Sequence, residues 1–297
     1  MDTMRSEISE RNVVISVIMN AIITIAEIVG GVISGSLALI SDGFHNLSDT
    51  FAGILTLWTL KLSHKEHTER FTFGYNRAEI LSAILNASLL LGIAIFLFIE
   101  AYKRFFSPEL IKSSIVIWVA LIGLTANWIS VLLLHKSAKH SLNIRSVYLH
   151  LLSDAFSSIG VVVGGFLMHF FAIYWIDPLI AILIACFLFK EGFKIIKETI
   201  AILMECAPKE INLNKLKADV ESIRHVKGLH HVHLWMLSDR QLLFEGHICV
   251  DDMLMSETKK IRKQIEKLLQ TEYGISHTTF QLESNGHKDL DLIKKKC

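Results

Sequence analysis

The sequence lacks the cysteine and charge patterns that mark several common classes of protein. Its net charge is only +1, so no strongly basic face indicates nucleic acid as a partner. The four cysteines form no CxxC pair and are scattered, at Cys186, Cys206, Cys249 and Cys297. This spacing is typical of neither a disulfide framework nor a cysteine zinc knuckle.

Motifs for nucleotide hydrolysis and metalloprotease chemistry are also missing. No GxxxxGK[ST] loop is present to hold phosphate groups, so the sequence gives no sign of an ATP-driven mechanism. No HExxH motif is present, and nothing indicates an organic cofactor. The first apolar run is too long for a signal-peptide core and is not followed by a small-residue cleavage site. We therefore expect no cleaved leader.

Apolar residues, in contrast, are abundant. They make up 52% of the chain, and the mean hydropathy is +0.44, which is typical of a protein embedded in a lipid bilayer. A helix needs ~20 residues to cross the hydrocarbon core. Six runs are long enough, which predicts a six-helix transmembrane domain over residues 1–206. The runs lie near 13–35, 37–62, 78–101, 113–135, 143–171 and 174–198.

One ten-residue segment occurs twice within these runs. Residues 45–54 and 150–159 share His, Leu, Ser, Asp, Phe and Ile at the same offsets. Each copy places a His four residues before an Asp, and this spacing brings the two side chains to one face of a helix. The pairs are His45 with Asp49 and His150 with Asp154.

Two imidazoles and two carboxylates match the ligand number and type of a tetrahedral zinc site. A carboxylate at bilayer depth costs several kcal/mol unless it is paired or bound to a cation. The alternative is that each His–Asp pair only joins neighbouring helices by hydrogen bonds. Because the pair is duplicated, we favour a metal site built from His45, Asp49, His150 and Asp154.

Other polar residues in the runs allow more than one interpretation. Glu27 is the only acid in the first run, and it serves either a proton or ion path or a contact with a polar neighbour. Asp42 lies one turn before His45, where it either supports a metal ligand or caps a helix. The loop after the second run contains His64 and His67 beside two acids. This loop either binds metal weakly or is a solvated charged segment, and the second interpretation is favoured.

Basic residues in the short loops predict the orientation. With a cytoplasmic N-terminus, nine Lys and Arg residues fall on the inner side and three on the outer side. Both termini are therefore expected in the cytoplasm. The inner residues are Arg5, Arg11, Lys61, Lys65, Arg70, Arg77, Lys136, Lys139 and Arg145, and the outer ones are Lys103, Arg104 and Lys112.

The composition changes near Ala207, where charge rises and the long apolar runs end. The pattern over 207–297 predicts a small cytoplasmic α+β domain of the ferredoxin-like kind in the order α-β-β-α-β. A domain this short would gain stability from dimerisation. Helices are predicted at 209–223 and 256–272, and strands at 229–237, 242–250 and 276–283.

This domain is rich in histidine, and a second metal centre is predicted there. His230 and His247 lie on adjacent predicted strands and can face each other, while His277 and Glu283 flank the last strand. Strand alternation places His231 and His233 on the face opposite His230. The alternative is a set of surface histidines with no ligand role.

With these residues in hand, the chain resembles the cation diffusion facilitator family, in its zinc-transporting branch. The resemblance covers nearly the whole length. The matching segments are Gly35–Asp42 leading into His45 and Asp49, Phe71–Tyr75 with Arg77–Glu79, His150 with Asp154, Asp177–Pro178, His230–Trp235 and Thr279–Glu283.

The resemblance implies a homodimer that exports divalent metal from the cytoplasm in exchange for protons. It implies a transport site formed by His45 and Asp49 with His150 and Asp154. A histidine at position 45 is similar to members that carry zinc, often with cadmium or cobalt. Zinc would then be the transported substrate and, in the tail, a regulatory ligand. In some relatives the ligands of the last strand fall on Phe280 and Leu282 here, so the tail centre is expected to be built differently.

Two rival functions use the same residues. An intramembrane zinc hydrolase would place His and Asp on membrane helices but needs an open coordination position for water. A membrane metal sensor would bind the ion without moving it. Transport is favoured because four ligands fill the shell. The compact tail and the lack of a long histidine-rich loop favour a bacterial inner membrane.

Overall fold

The computed structural model describes residues 18, 20–63, 65–107, 109–138, 142–238, 241–284 and 291–293. Within these residues every long apolar run forms a helix. Among the described residues, three helical segments are long and apolar enough to cross a membrane: Ala78–Phe106, Ser113–Leu132 and Leu151–Phe171. The helices are α1 (Asn20–Ser34), α2 (Leu37–Ser63), α3 (Ala78–Phe106), α4 (Ser113–Ala138), α5 (Leu142–Phe171) and α6 (Ile176–Leu203).

The chain divides into two compact units. The membrane unit comprises the residues up to Trp58 together with Ser82–Ile196. The tail unit comprises Thr59–Leu81 and Lys197–Cys297. The last turn of α2, the first turn of α3 and the end of α6 therefore belong to the tail unit.

Glycines allow α1 and α2 to pack at close range in the membrane unit. A Cβ atom at Gly31 would lie 2.9 Å from the backbone nitrogen of Ile40, and one at Gly43 would lie 3.0 Å from that of Ile28. Gly35 connects the two helices with a φ of 76°, a conformation that glycine adopts without steric cost. The chain therefore makes a tight turn between the two helices at this point.

Asp177 joins the first turn of α6 to the first turn of α2. Its carboxylate accepts hydrogen bonds from Ser36 Oγ at 2.5 Å, from the Leu37 amide at 2.7 Å and from the Ala38 amide at 3.3 Å. The first backbone amides of a helix have no partner within the helix, and a negative charge is favourable there. Asp177 thus caps α2 across 140 residues of sequence.

The tail unit contains a three-stranded sheet in the order β1-β2-β3. β1 and β2 are antiparallel, whereas β2 and β3 are parallel. The order of elements is the predicted α-β-β-α-β. The elements are α7 (Leu213–Glu221), β1 (Val226–Ser238), β2 (Gln241–Val250), α8 (Met255–Tyr273) and β3 (Ile275–Ser284).

One face of this sheet packs against α7 and α8. One side of α8 carries apolar residues spaced four apart, at Ile261, Ile265 and Leu269. These side chains are buried in a single core with Phe244 and Ile248 of β2. Asn212 caps α7 by accepting hydrogen bonds from the amides of residues 214 and 215. His230, His247 and Glu283 lie together on the opposite face of the sheet.

The loop between α2 and α3 contacts the rest of the tail unit through polar groups. The Asn76 amide donates to Gln241 Oε1 at 3.0 Å. Arg77 forms an ion pair with Glu205 at 2.9 Å. Exposed ion pairs of this kind contribute only about 0–1 kcal/mol, so the loop is held by several weak contacts.

Candidate metal centres

A stripe of polar residues runs along α2 inside the membrane unit. Asp42, His45, Asn46 and Asp49 are spaced as i, i+3, i+4 and i+7, so they share one face of the helix. All lie within a helix that is otherwise mainly apolar. Each of these four side chains contacts a different polar partner, and three of the contacts reach neighbouring helices.

His45 is the centre of the first cluster. Its Nδ1 atom lies 3.5 Å from Asp49 Oδ2, and its Nε2 atom lies 3.5 Å from Asp154 Oδ1 on α5. His45 is 5% exposed and Asp154 is 2% exposed. The ring of Phe187 on α6 contacts the imidazole edge-on, with 5.8 Å between the ring centroids. A nitrogen ligand and two carboxylates therefore meet in a largely buried site.

The spacing of these groups suits a small divalent ion. One ligand atom from each of His45, Asp49 and Asp154 lies within 4.8 Å of the other two. Two ligands at about 2.1 Å from a tetrahedral zinc ion lie ~3.4 Å apart. An adjustment on the order of 1 Å would therefore bring the three residues into zinc coordination.

His150 is the fourth residue of the predicted site. Its backbone belongs to α5, one helical turn before Asp154. Its side chain lies outside the described residues. The assignment of His150 as a ligand therefore stays a prediction based on the repeated segment.

Two buried acids beside the cluster hold neighbouring helices. Asp42 accepts hydrogen bonds from Ser157 Oγ at 2.6 Å and from Ser158 Oγ at 3.2 Å, both on α5. Because Asp42 lies within the second turn of α2, it is not a helix cap. Glu27 of α1 accepts a hydrogen bond from the Asn46 amide at 2.8 Å. Hydrogen bonds thus join α2 to α5 at Asp42, one turn before His45, and join α2 to α1 at Asn46, the residue after His45.

A second cluster lies on the sheet of the tail unit. His230 and His247 are register partners on β1 and β2, as predicted, and their ring centroids are 5.3 Å apart. Glu283 of β3 lies 3.5 Å from His230 Nε2 and 2.8 Å from His247 Nδ1. Three of the four predicted tail residues therefore meet.

Cys249 is a further member of this cluster, and it was not predicted from the sequence. Its Sγ atom lies 3.7 Å from His230 Nδ1 and 3.9 Å from Glu283 Oε2, and the residue is buried. His230, Cys249 and Glu283 offer ligand atoms within 4.8 Å of one another. The sequence did contain a sign of this: Cys249 follows His247 by two residues, and alternate residues of a strand share a face.

His277 does not belong to the cluster. It is six residues from Glu283 along β3, and an extended strand covers about 20 Å over that distance. It pairs instead with Leu243, and its exposed ring contacts Phe73 with 6.0 Å between centroids. The prediction that His277 and Glu283 share an ion ignored this separation, so we correct it.

A β-bulge changes the position of His231. The register between β1 and β2 shifts between His230 and His233, and His231 has a φ of 49°. Its ring then lies 4.7 Å from that of His247. The expected simple alternation is therefore wrong here, because a bulge inserts a residue and redirects its side chain.

Other histidines do not join either cluster within the described residues. His64 lies outside the described residues. His67 is exposed, and a Cβ atom at Gly74 would be 3.0 Å from its ring. His225 lies 2.9 Å from Asp251, which also pairs with Lys227 at 2.9 Å. Lys227 and then His225 hold the pKa of Asp251 below its usual value.

Comparison with known proteins identifies the family. The model of the cation efflux transmembrane domain matches residues 13–204, and that of the cation efflux protein cytoplasmic domain matches residues 208–285. The "Cadmium, cobalt and zinc/H(+)-K(+) antiporter" of Bacillus subtilis is 33% identical over 290 residues, covering 96% of this chain and 92% of that protein.

Two further relatives have similar coverage. The "Metal cation efflux system protein CzcD" of Cupriavidus metallidurans is 34% identical over 275 residues, which is 93% of this chain and 87% of that protein. The "Zinc transporter ZitB" of Yersinia pestis is 33% identical over 277 residues, or 93% and 88%. These matches confirm the resemblance drawn from the motifs. The chain is therefore an integral membrane protein that belongs to the cation efflux family of metal cation transporters.

Proposed function

We propose that this chain exports zinc from the cytoplasm in exchange for protons, with cadmium and cobalt as further substrates. The observation that carries the proposal is the buried cluster of His45, Asp49 and Asp154 in the membrane unit of a cation efflux protein. Relatives whose names specify zinc, cadmium and cobalt match the chain over almost its whole length. Nitrogen ligands suit zinc better than manganese or magnesium.

The transport site is assigned to His45 and Asp49 of α2 with His150 and Asp154 of α5. The 3.5 Å contact between His45 and Asp154 supports a site shared by the two helices. The hydrogen bonds from α5 to Asp42 support the same pairing of helices. Two imidazoles and two carboxylates complete a tetrahedral shell for zinc.

Proton exchange follows from the chemistry of these ligands. Zinc requires neutral imidazole and ionised carboxylate, so binding expels protons. Histidine changes charge near physiological pH. A site facing the cytoplasm would load zinc, whereas a site facing a more acidic exterior would take up protons and release the ion. Alternating access would arise from helices that rock around a site near the middle of the membrane.

The architecture proposed for this mechanism has six spans and a tail. The six helices within 1–206 cross the membrane, and residues 207–297 form a cytoplasmic ferredoxin-like domain. The lengths of α2 and α6, 27 and 28 residues, support spans beyond the three most apolar ones. The protein lies in a bacterial inner membrane, and both of its termini are in the cytoplasm. Homodimerisation is supported by the match to the cytoplasmic domain of cation efflux proteins.

The two rival functions are less well supported. Members of this family carry metal cations and are not enzymes, which disfavours the intramembrane zinc hydrolase. A sensor would bind zinc at the same cluster but would not transport zinc across the membrane. Transport measured with purified protein in liposomes therefore distinguishes all three.

We expect purified protein in proteoliposomes to accumulate zinc when the lumen is acidic. A gradient of one pH unit supplies about 1.4 kcal/mol per proton, or about tenfold zinc accumulation for each proton exchanged. Cadmium and cobalt should also be carried, and manganese should not. Accumulation that persists after an ionophore collapses the pH gradient would contradict proton exchange. Absence of zinc flux under every gradient would contradict the exporter itself.

We also propose that His230, His247, Cys249 and Glu283 bind a regulatory zinc ion in the tail. Nitrogen, thiolate and carboxylate are all zinc ligands, with zinc–sulfur distances near 2.3 Å. The 2.8–3.9 Å contacts among these groups support the assignment. The buried position of Cys249 also shields the thiol from solvent.

Substituting this cluster should remove one class of zinc site from the full-length protein. We expect Glu283→Gln to lower the zinc bound by about one ion per chain, because the variant loses the carboxylate that contacts both histidines. In cobalt-loaded protein, Cys249→Ser should abolish thiolate-to-cobalt charge-transfer absorption. His277→Ala is the matched control and should leave both readouts unchanged. Equal stoichiometry in Glu283→Gln and the unmodified protein would refute the site.

A further inference from the structure

Glu27 is a fully buried acid of the membrane unit that the proposed zinc site does not use. It is 0% exposed, and its Asn46 partner is 1% exposed. The Asn46 amide donates to one carboxyl oxygen, Oε2, at 2.8 Å. The backbone of α4 packs against the other oxygen, because a Cβ atom at Gly123 would lie 2.7 Å from Oε1.

Two buried oxygens of this pair have no hydrogen-bond partner among the described residues. They are Glu27 Oε1 and Asn46 Oδ1. An unsatisfied buried polar group typically costs about 1–3 kcal/mol, and more when it is charged. An isolated carboxylate buried away from water normally becomes neutral by taking up a proton. Both oxygens are acceptors in the ionised form, so the pair lacks a donor.

We propose that Glu27 holds a proton against Asn46 and that this proton is one of those exchanged for zinc. A carboxylic acid and a primary amide can form a closed pair in which each donates one hydrogen bond to the other. The Asn46 amide donates to Oε2, and a hydroxyl at Oε1 donates to Asn46 Oδ1. One proton then satisfies both remaining oxygens. The inference rests on the proposed zinc–proton exchange and adds a proton site outside the metal ligands.

The charged groups around Glu27 couple its protonation to zinc binding. The ionisable groups that act on it are Asp42 and His45 of α2 and Asp154 of α5, while α4 presents Gly123. A divalent cation at His45 and Asp154 would add two positive charges to this buried region, and positive charge nearby favours the ionised carboxylate. Zinc loading therefore releases the proton from Glu27, and zinc departure allows it to return.

The test measures protons released per zinc ion bound. Purified protein in weakly buffered detergent solution is titrated with zinc while a pH dye reports proton release. We expect Glu27→Gln, which keeps the size and polarity of the side chain, to release about one proton fewer per zinc ion. In proteoliposomes the same variant should show a lower proton-to-zinc ratio. Thr24→Val, which removes a buried hydroxyl one turn away on α1, is the matched control and should behave as the unmodified protein.

Infrared difference spectroscopy provides an independent readout that needs no transport. The metal-free protein should show the carbonyl band of a protonated carboxylic acid, and Glu27→Gln should remove it. Asn46→Ala should shift this band, because the acid persists without its amide partner. A band that survives Glu27→Gln unchanged, or an unchanged proton count, would overturn the inference. If the unmodified protein exchanges no protons for zinc, the proposed function itself fails, whatever the infrared result.

Discussion

Zinc transport is expected to disappear when Asp154 is replaced by alanine. The variant loses the carboxylate that links α5 to His45 across 3.5 Å, so the two halves of the proposed site no longer share an ion. Loss of a partner that only orients a metal ligand typically costs ~10–100-fold. Removing a ligand should therefore lower the initial rate of zinc uptake by about 100-fold or more, measured in acid-loaded proteoliposomes.

The control must show that this variant still inserts and assembles. Ser153→Ala changes the neighbouring residue of α5, whose side chain is exposed, and should transport zinc at the normal rate. Size-exclusion chromatography in detergent should give the same elution volume for both variants and the unmodified protein. Normal zinc uptake by Asp154→Ala would remove Asp154 from the site and leave the repeated His–Asp segment without a role.

The largest expected effect on stability follows from replacing Asp177. In Asp177→Ala the Leu37 and Ala38 amides and the Ser36 hydroxyl lose their common acceptor in a buried position. Each unsatisfied buried group costs about 1–3 kcal/mol, and removal of a helix cap alone costs ~0.5–2 kcal/mol. We expect a destabilisation of about 2–5 kcal/mol and a clear fall in the temperature of thermal aggregation in detergent.

Two further variants separate capping from a general effect of removing charge. Asp177→Asn keeps one acceptor oxygen and should lose less stability than the alanine variant. Glu198→Ala removes an exposed acid from the same helix and should leave the aggregation temperature unchanged. Equal temperatures for Asp177→Ala and the unmodified protein would show that the contact with α2 is not stabilising.

In the membrane unit, the features that depend on the local spacing of residues could be predicted from the sequence. Apolar length placed the helices, and the repeated segment selected His45, Asp49 and Asp154, which the fold brings together. The capping role of Asp177 could not be predicted in the same way. An Asp-Pro pair is typical of a helix start, and α6 does begin there, but the helix that Asp177 caps is α2. Nothing local in a sequence shows which distant amides a carboxylate will meet.

The tail shows a similar division. Strand positions and the pairing of His230 with His247 followed from alternation. The bulge at His231 and the inclusion of Cys249 did not, because both depend on the register among three strands. His277 was included for its residue type, although its distance along β3 placed it elsewhere. Residue type and proximity in sequence therefore could not identify all members of the tail cluster without the register of the strands.

The carboxylate that joins the first turns of α2 and α6 also restricts how these helices can separate. Because Asp177 keeps their ends together, a change in the angle between them acts as a lever with its fulcrum at Ser36. His45 lies about 14 Å along α2 from that point, so a swing of about 10° displaces it by about 2 Å. Metal–ligand distances tolerate only about 0.2 Å. A modest swing of α2 about this fulcrum, if α5 stays in place, is therefore sufficient to break the proposed coordination shell while the contact with Asp177 is kept.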